Sequence, residues 1–131
     1  MNIPSIERLE KVYGESVKSA ERLSVLAKNF QKKYGHDVAE FFSAPGRTEI
    51  IGNHTDHNGG KVIAGSIDLD TIGAACPNNS SVIHITSEGY DKEIVVDIDR
   101  LDSVVKGGGT VALLAGMMEG AQKFGFQVGG F

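Results

Sequence analysis

Gly35 divides this chain into two hydrophobic rhythms, and that change of period constrains the fold more than any other feature. Before it, Leu9, Val12 and Tyr13, then Leu23, Leu26, Ala27, Phe30 and Tyr34, recur at helical steps with Lys and Arg turned outward. Gly14 and Gly35 stop these two helical stretches, the second behind Lys32 and Lys33, cations suited to the negative end of a helix. After Gly35 the pattern turns to runs rich in Val, Ile and Thr, read as strands at Val38–Ser43, Lys61–Gly65, Asp70–Cys76, Ser81–Thr86 and Lys92–Ile98. Pro77-Asn78-Asn79-Ser80 reads as a hairpin loop between two of them, and Glu88-Gly89-Tyr90-Asp91 separates the next two. Lys106-Gly107-Gly108-Gly109 reads as a flexible link. A helix is then predicted from about Thr110 to Phe124, with Val111, Leu114, Ala115, Met118 and Ala121 on one face and Gly125 as its stop. Val128 to Phe131 opens a further extended segment.

Helices, then strands, then a helix imply an α+β fold: a mostly antiparallel mixed sheet with helices packed on one side. The chain divides into a helical lead-in at 1–35, strands at 36–106, and a link, helix and strand start at 107–131. Its 131 residues suffice for one domain with a modest core. Thirteen basic and 17 acidic residues give a net charge of -4, which argues against nucleic acid as a partner, since neutralising phosphates takes a basic surface. No apolar run approaches the roughly 20 residues of a membrane span, and residues 1–9 lack the apolar stretch of a secretory signal. Cys76 is the only cysteine, so no intrachain disulfide forms and a reducing cytoplasm is the expected compartment. The apolar flank Ile72, Ala74 and Ala75 marks Cys76 as a structural thiol rather than a nucleophile.

The chemistry concentrates between Ser43 and Gly60: Ser-Ala-Pro-Gly-Arg-Thr-Glu-Ile-Ile-Gly-Asn-His-Thr-Asp-His-Asn-Gly-Gly. This segment is too polar for core and too rich in reactive side chains for a plain connector. Pro45 and Gly46 place Arg47 at a strand-to-loop junction. The Arg47 guanidinium offers a planar fork of donors for phosphate, or for a sugar hydroxyl beside a carboxylate. Asp56 can accept hydrogen bonds from vicinal hydroxyls, and Asn53 and His54 can donate and accept, a combination that suits a polyol. Other readings compete: Arg47 paired with Glu49 or Asp56 on the surface, Asp56 capping a turn, or a metal held by His54, Asp56 and His57. With neither Cys nor a further His at clear spacing, no metal site is assigned. His84, within an alternating strand, is expected to be structural or exposed. Gly107-Gly108-Gly109-Thr110 lacks the spacing of a phosphate loop, and Lys106 stands before the glycines rather than after them.

The segment from Phe42 to Gly60 resembles the N-terminal signature of galactokinases, in the superfamily that includes homoserine, mevalonate and phosphomevalonate kinases. The resemblance extends more loosely over most of the chain, through the late helix to Gly129-Gly130-Phe131. It implies the incomplete N-terminal domain of a two-domain small-molecule kinase, one that transfers the γ-phosphoryl group of ATP, with Mg²⁺, to the anomeric hydroxyl of galactose. It further implies that Arg47 stands beside the reacting hydroxyl, as catalytic and substrate-binding residue, and that Asn53, His54 and Asp56 contact the sugar. The family's common pattern is Gly-Arg-Val-Asn-Leu-Ile-Gly-Glu-His-Thr-Asp-Tyr-Asn. Here Thr48 and Glu49 replace Val-Asn, Asn53 replaces Glu and His57 replaces Tyr. The loss of a charge at Asn53 bears on which hydroxyls are selected, so galactose or a related sugar is the expected partner. The family's phosphate loop, resembling Pro-x-x-x-Gly-Leu-Ser-Ser-Ser, has no counterpart in this sequence, and the family's catalytic aspartate lies further on. The expectation is therefore an acceptor site without its nucleotide half: ATP and Mg²⁺ serve the full-length enzyme, neither binds tightly to this chain, and the chain alone is inactive. Alternatives are a non-catalytic sugar-binding or regulatory module, or a kinase for a related sugar. Surface uncovered near Phe131 is expected to favour self-association.

Overall fold

Ser5 starts the first helix. Its Oγ accepts the Arg8 N–H at 3.3 Å, satisfying one of the donors that a helix start leaves open. Helix α1 runs Ile6–Tyr13 and closes where the Gly14 N–H donates to the Glu10 carbonyl. Glu10 has a second use, because its carboxylate accepts the Ser16 N–H at 3.2 Å. Ser16 begins α2 (Ser16–Tyr34), whose own N-cap residue, Glu15, makes no side-chain cap. Gly35 ends α2 with an N–H to the Gln31 carbonyl, at the stop expected from the sequence. Phe30 and Tyr34, one turn apart, place their ring centroids 5.1 Å from each other.

The computed structural model describes residues 3–37, 39–52, 55–104 and 108–131, without the side chains of Asp56, Ser103 and Val104. Two compact units form, Met1–Ala75 and Cys76–Phe131. In the first, α1 packs on α2, and α2 packs on the second strand of a long antiparallel hairpin. That hairpin joins β1 (Glu40–Ile51) to β2 (Ile63–Ala75). Leu9, Leu23, Ala27 and Ala39 are buried, together with Ser19. Val12, grouped with Leu9 by spacing, is 63% exposed instead.

The second unit pairs β3 (Val82–Ile85) with β4 (Ile94–Asp97), also antiparallel. A 3₁₀ turn at Ile98–Arg100, a short helix α3 (Leu101–Val104) and α4 (Gly109–Lys123) follow. Ile83, Val96, Ile98, Leu101 and Ala115 form its buried core, with Val111, Leu114 and Met118 packed against it from α4 as the periodicity predicts. Val128 and Phe131 also pack on this core. Residues 128–131 make no ladder. The Gly130 N–H nevertheless donates to Ser80 O at 2.7 Å, and Phe131 O accepts the His84 N–H at 2.9 Å. Of the expected link, Lys106 and Gly107 lie outside the described residues, and Gly109 is the first residue of α4.

The α+β class with antiparallel strands thus agrees with the sequence. Its strands differ in two ways. The predicted runs 61–65 and 70–76 are one continuous strand, β2. Pro77–Ser80 is the stretch of chain that leads from β2 to β3 rather than a hairpin loop, because β2 already has its partner in β1. No helix among the described residues is long and apolar enough to cross a membrane.

Candidate functional site

The first half of the polar segment, Ser43 to Ile51, is ladder. Ser43 pairs with Ile72, Ala44 with Thr71 and Pro45 with Asp70, then Arg47 with Ser66, Thr48 with Gly65 and Glu49 with Ala64. Pro45 has no N–H to give to a ladder and is tolerated in this hairpin, where no third strand is paired among the described residues. The register breaks directly after it: Gly46 alone stands opposite Ile67, Asp68 and Leu69. Arg47 therefore sits inside β1, one step past an irregularity, and not at the strand-to-loop junction expected from Pro45-Gly46.

Arg47 is largely exposed, and its Nη2 lies 3.4 Å from Glu49 Oε1. Residues two apart in a strand share a face, which explains the pairing. Glu49 was one of the two partners that the sequence offered. An ion pair this open adds little stability and leaves most of the guanidinium fork available to a ligand.

The second half of the segment turns around Thr55. Its Oγ1 donates to Gly52 O at 2.7 Å, while its carbonyl accepts Asn58 N–H at 3.3 Å and Gly60 N–H at 2.8 Å. A single 3₁₀ turn, Asp56–Asn58, results, with His57 exposed on it. Gly52 has φ +89°, the left-handed side that favours glycine, and a Cβ there would lie 2.2 Å from Lys61 O. Asn53 and His54 lie outside the described residues, as does the side chain of Asp56. Among the described residues no three His, Cys, Asp or Glu side chains gather as a metal site. His84 is exposed, with Nδ1 3.8 Å from Glu93 Oε1, and Cys76 is half-buried.

The sequence reading missed the main polar junction beneath this segment. Asp70, with only 10% of its side chain exposed, accepts Ser43 Oγ at 2.7 Å and Tyr13 Oη at 3.0 Å through Oδ2. Through Oδ1 it accepts Arg22 Nη2 at 2.7 Å. One carboxylate thereby joins α1, α2, β1 and β2. Burial pushes the carboxyl up, but the hydrogen bonds from Ser43, Arg22 and Tyr13 and the charge of Arg22 outweigh it and hold Asp70 below the usual carboxylate range. The available signal was a carboxylate followed directly by the apolar run Thr71-Ile72-Gly73-Ala74-Ala75, where strands seldom carry one.

Comparisons with known proteins take in this hairpin and more of the chain. Residues 28–77 match the family described as the galactokinase galactose-binding signature. A galactokinase of Lactococcus lactis subsp. lactis (strain IL1403) is 37% identical over 91 residues, 69% of this chain and 23% of the relative. A galactokinase of Streptococcus thermophilus is 33% identical over 75 residues, 57% of this chain and 19% of the relative. The chain thus spans under a quarter of the length of these curated relatives. The crystal structure of Lactococcus lactis galactokinase complexed with galactose superposes with a TM-score of 0.70 at 31% identity, over 83% of this chain and 29% of that one. In sequence and in fold the chain is similar to galactokinases, and its residues 28–77 match the galactokinase galactose-binding signature.

Proposed function

We propose that this chain supplies the acceptor-sugar part of a galactokinase, the enzyme that phosphorylates galactose at its anomeric hydroxyl. The observation that carries the reading is the coincidence of the galactose-binding signature with a hairpin that holds Arg47 exposed just past a break in register. In this reading Arg47 lies beside the reacting hydroxyl. Its positive charge favours the alkoxide and the charge that develops on the transferred phosphoryl group. Glu49 holds the guanidinium until sugar arrives. Asp56 accepts from ring hydroxyls, and Asn53 and His54 complete the set of sugar contacts. Asn53 carries no charge, so selection among hydroxyls rests more heavily on Asp56.

ATP with Mg²⁺ would supply the phosphoryl group, and the residues of this chain do not fit them. The sequence has no run like Pro-x-x-x-Gly-Leu-Ser-Ser-Ser, and the described residues gather no acidic metal site. Phosphoryl transfer depends on nucleotide, metal and acceptor being positioned together. The chain by itself therefore binds sugar without turnover. Titration calorimetry with galactose, glucose and mannose, run beside an ATP-dependent phosphorylation assay on the 131-residue chain, tests both halves. Galactose binding that is lost in Arg47→Ala, with no sugar phosphate formed, is the expected result. Turnover by the chain alone would refute the division of labour. No heat with any sugar would refute the acceptor site.

A further inference from the structure

Among the described residues, the hydrogen bonds of the Asp70 carboxylate go to Tyr13, Arg22 and Ser43 rather than to Arg47, yet Asp70 is built into the segment that presents Arg47. Ser43, the first residue of the polar segment, donates to Asp70 Oδ2, and Pro45 is the register partner of Asp70 across the ladder. The register then breaks between Pro45 and Arg47. A nearly buried carboxylate thus holds β1 at Ser43, two positions before the last pair ahead of the break, and Arg47 is the first paired position after it. The same carboxylate is held by Tyr13 of α1, at the oxygen that Ser43 also uses, and by Arg22 of α2 at the other oxygen.

The geometry points to Asp70 as a positioning residue for the sugar site, one that fixes β1 at Ser43 so that Arg47 leaves the register break in a single orientation. This rests on the reading of the hairpin as a sugar site. The bonds of the carboxylate have different jobs. The bond to Ser43 fixes the strand that carries Arg47, while those to Arg22 and Tyr13 fix the helices. A purely structural junction makes no such distinction, and cutting any of its bonds would then weaken the site in proportion to the stability lost.

Four variants separate the two cases: Asp70→Asn, Ser43→Ala, Arg22→Gln and Tyr13→Phe. For each, galactose affinity is measured by calorimetry and the melting temperature by circular dichroism. Amide hydrogen exchange is followed across residues 44–51, with the amides of Ile83 and Val96 in the other unit as internal reference. A hydrogen bond to a charged group is strong enough that losing the Ser43 link should weaken galactose binding about tenfold or more. Asp70→Asn and Ser43→Ala should show that loss and faster exchange at residues 44–49. Arg22→Gln and Tyr13→Phe should lower the melting temperature while affinity stays within about twofold of the parent. The proposal is overturned if affinity follows melting temperature across all four variants, or if Ser43→Ala leaves both affinity and exchange unchanged. Should the parent chain bind no galactose, the sugar-site reading fails. The exchange pattern then decides the positioning claim alone: faster exchange confined to Asp70→Asn and Ser43→Ala supports it, and any other pattern overturns it.

Discussion

Replacing Gly52 with Ala should open the turn that follows it, where the proposed sugar contacts lie, while leaving the rest of the chain folded. Gly52 has φ +89°, and holding a side chain in left-handed backbone costs about 1–2 kcal/mol. The new Cβ would also lie 2.2 Å from Lys61 O and 3.0 Å from Val62 Cα. Both are backbone atoms, so no side chain can swing aside. Restoring a carbon–oxygen contact of about 3.3 Å moves the strand end by about 1 Å. That movement strains the Ile51–Ile63 pair at the neck of the turn. Losing one or two hydrogen bonds there adds about 1–2 kcal/mol. The sum, about 2–4 kcal/mol, shifts the balance between closed and open turn by about 30-fold to 1,000-fold. Amide hydrogen exchange reads this directly at Gly60, whose N–H donates to Thr55 O at 2.8 Å. Gly59→Ala is the control, because Gly59 also has positive φ, +73°, but a Cβ there meets nothing within 4 Å. It should carry the dihedral cost alone, about tenfold in exchange. The reasoning is refuted if Gly52→Ala leaves Gly60 protection within about threefold of the parent, or if the two substitutions have equal effects.

Two further outcomes follow from the same structure. The folded-state pKa of Asp70 lies below its unfolded value, so its contribution to stability is fully present above the usual carboxylate range and is lost as pH falls through that range towards the folded value. Chemical denaturation at a series of pH values should show an acid-side loss in the parent that is reduced in Asp70→Asn; equal slopes in both would contradict the network. Phe42, Ile63 and Leu69 are exposed along the β1–β2 hairpin, at 59%, 59% and 73%. Concentration-dependent mass in sedimentation is therefore expected, and Leu69→Lys should reduce it; a monomer across the whole range for the parent would exclude this surface as the cause.

Much of the fold was legible because its helices follow local rules. Gly14 and Gly35 stop α1 and α2 where the sequence placed them, and α4 buries Ala115 on the predicted face. The hairpin β3–β4 was legible for the same reason, with short apolar runs on either side of a Gly-containing turn. The signature strand was not. Pro45-Gly46 reads as a breaker, but a two-stranded hairpin tolerates a residue without an N–H, and the ladder absorbs the defect as a shift in register. Pairing is non-local, so nothing near Pro77–Ser80 could reveal that β2 turns back to β1 rather than forward to β3. The Arg47–Glu49 pair was within reach of the sequence as one of two alternative pairings offered for Arg47, because two positions on one strand face are a local relation. Asp70 escaped notice because its partners Tyr13 and Arg22 are 57 and 48 residues away.

The bonds from Gly130 and Phe131 back to Ser80 and His84 have a consequence for biosynthesis. Domains tend to form as the chain emerges, N-terminal parts first, at about 5–20 residues per second. The α1–α2 pair and the β1–β2 hairpin lie within the first unit, which ends at Ala75. The second unit differs, because the backbone that satisfies the His84 N–H arrives 47 positions later, at Phe131. Translation therefore delivers the sheet of this unit before it delivers the segment that covers its edge. A nascent chain arrested after Gly125 should show a protected β1–β2 hairpin and an unprotected His84 amide, and protection at His84 should appear only once Phe131 has emerged.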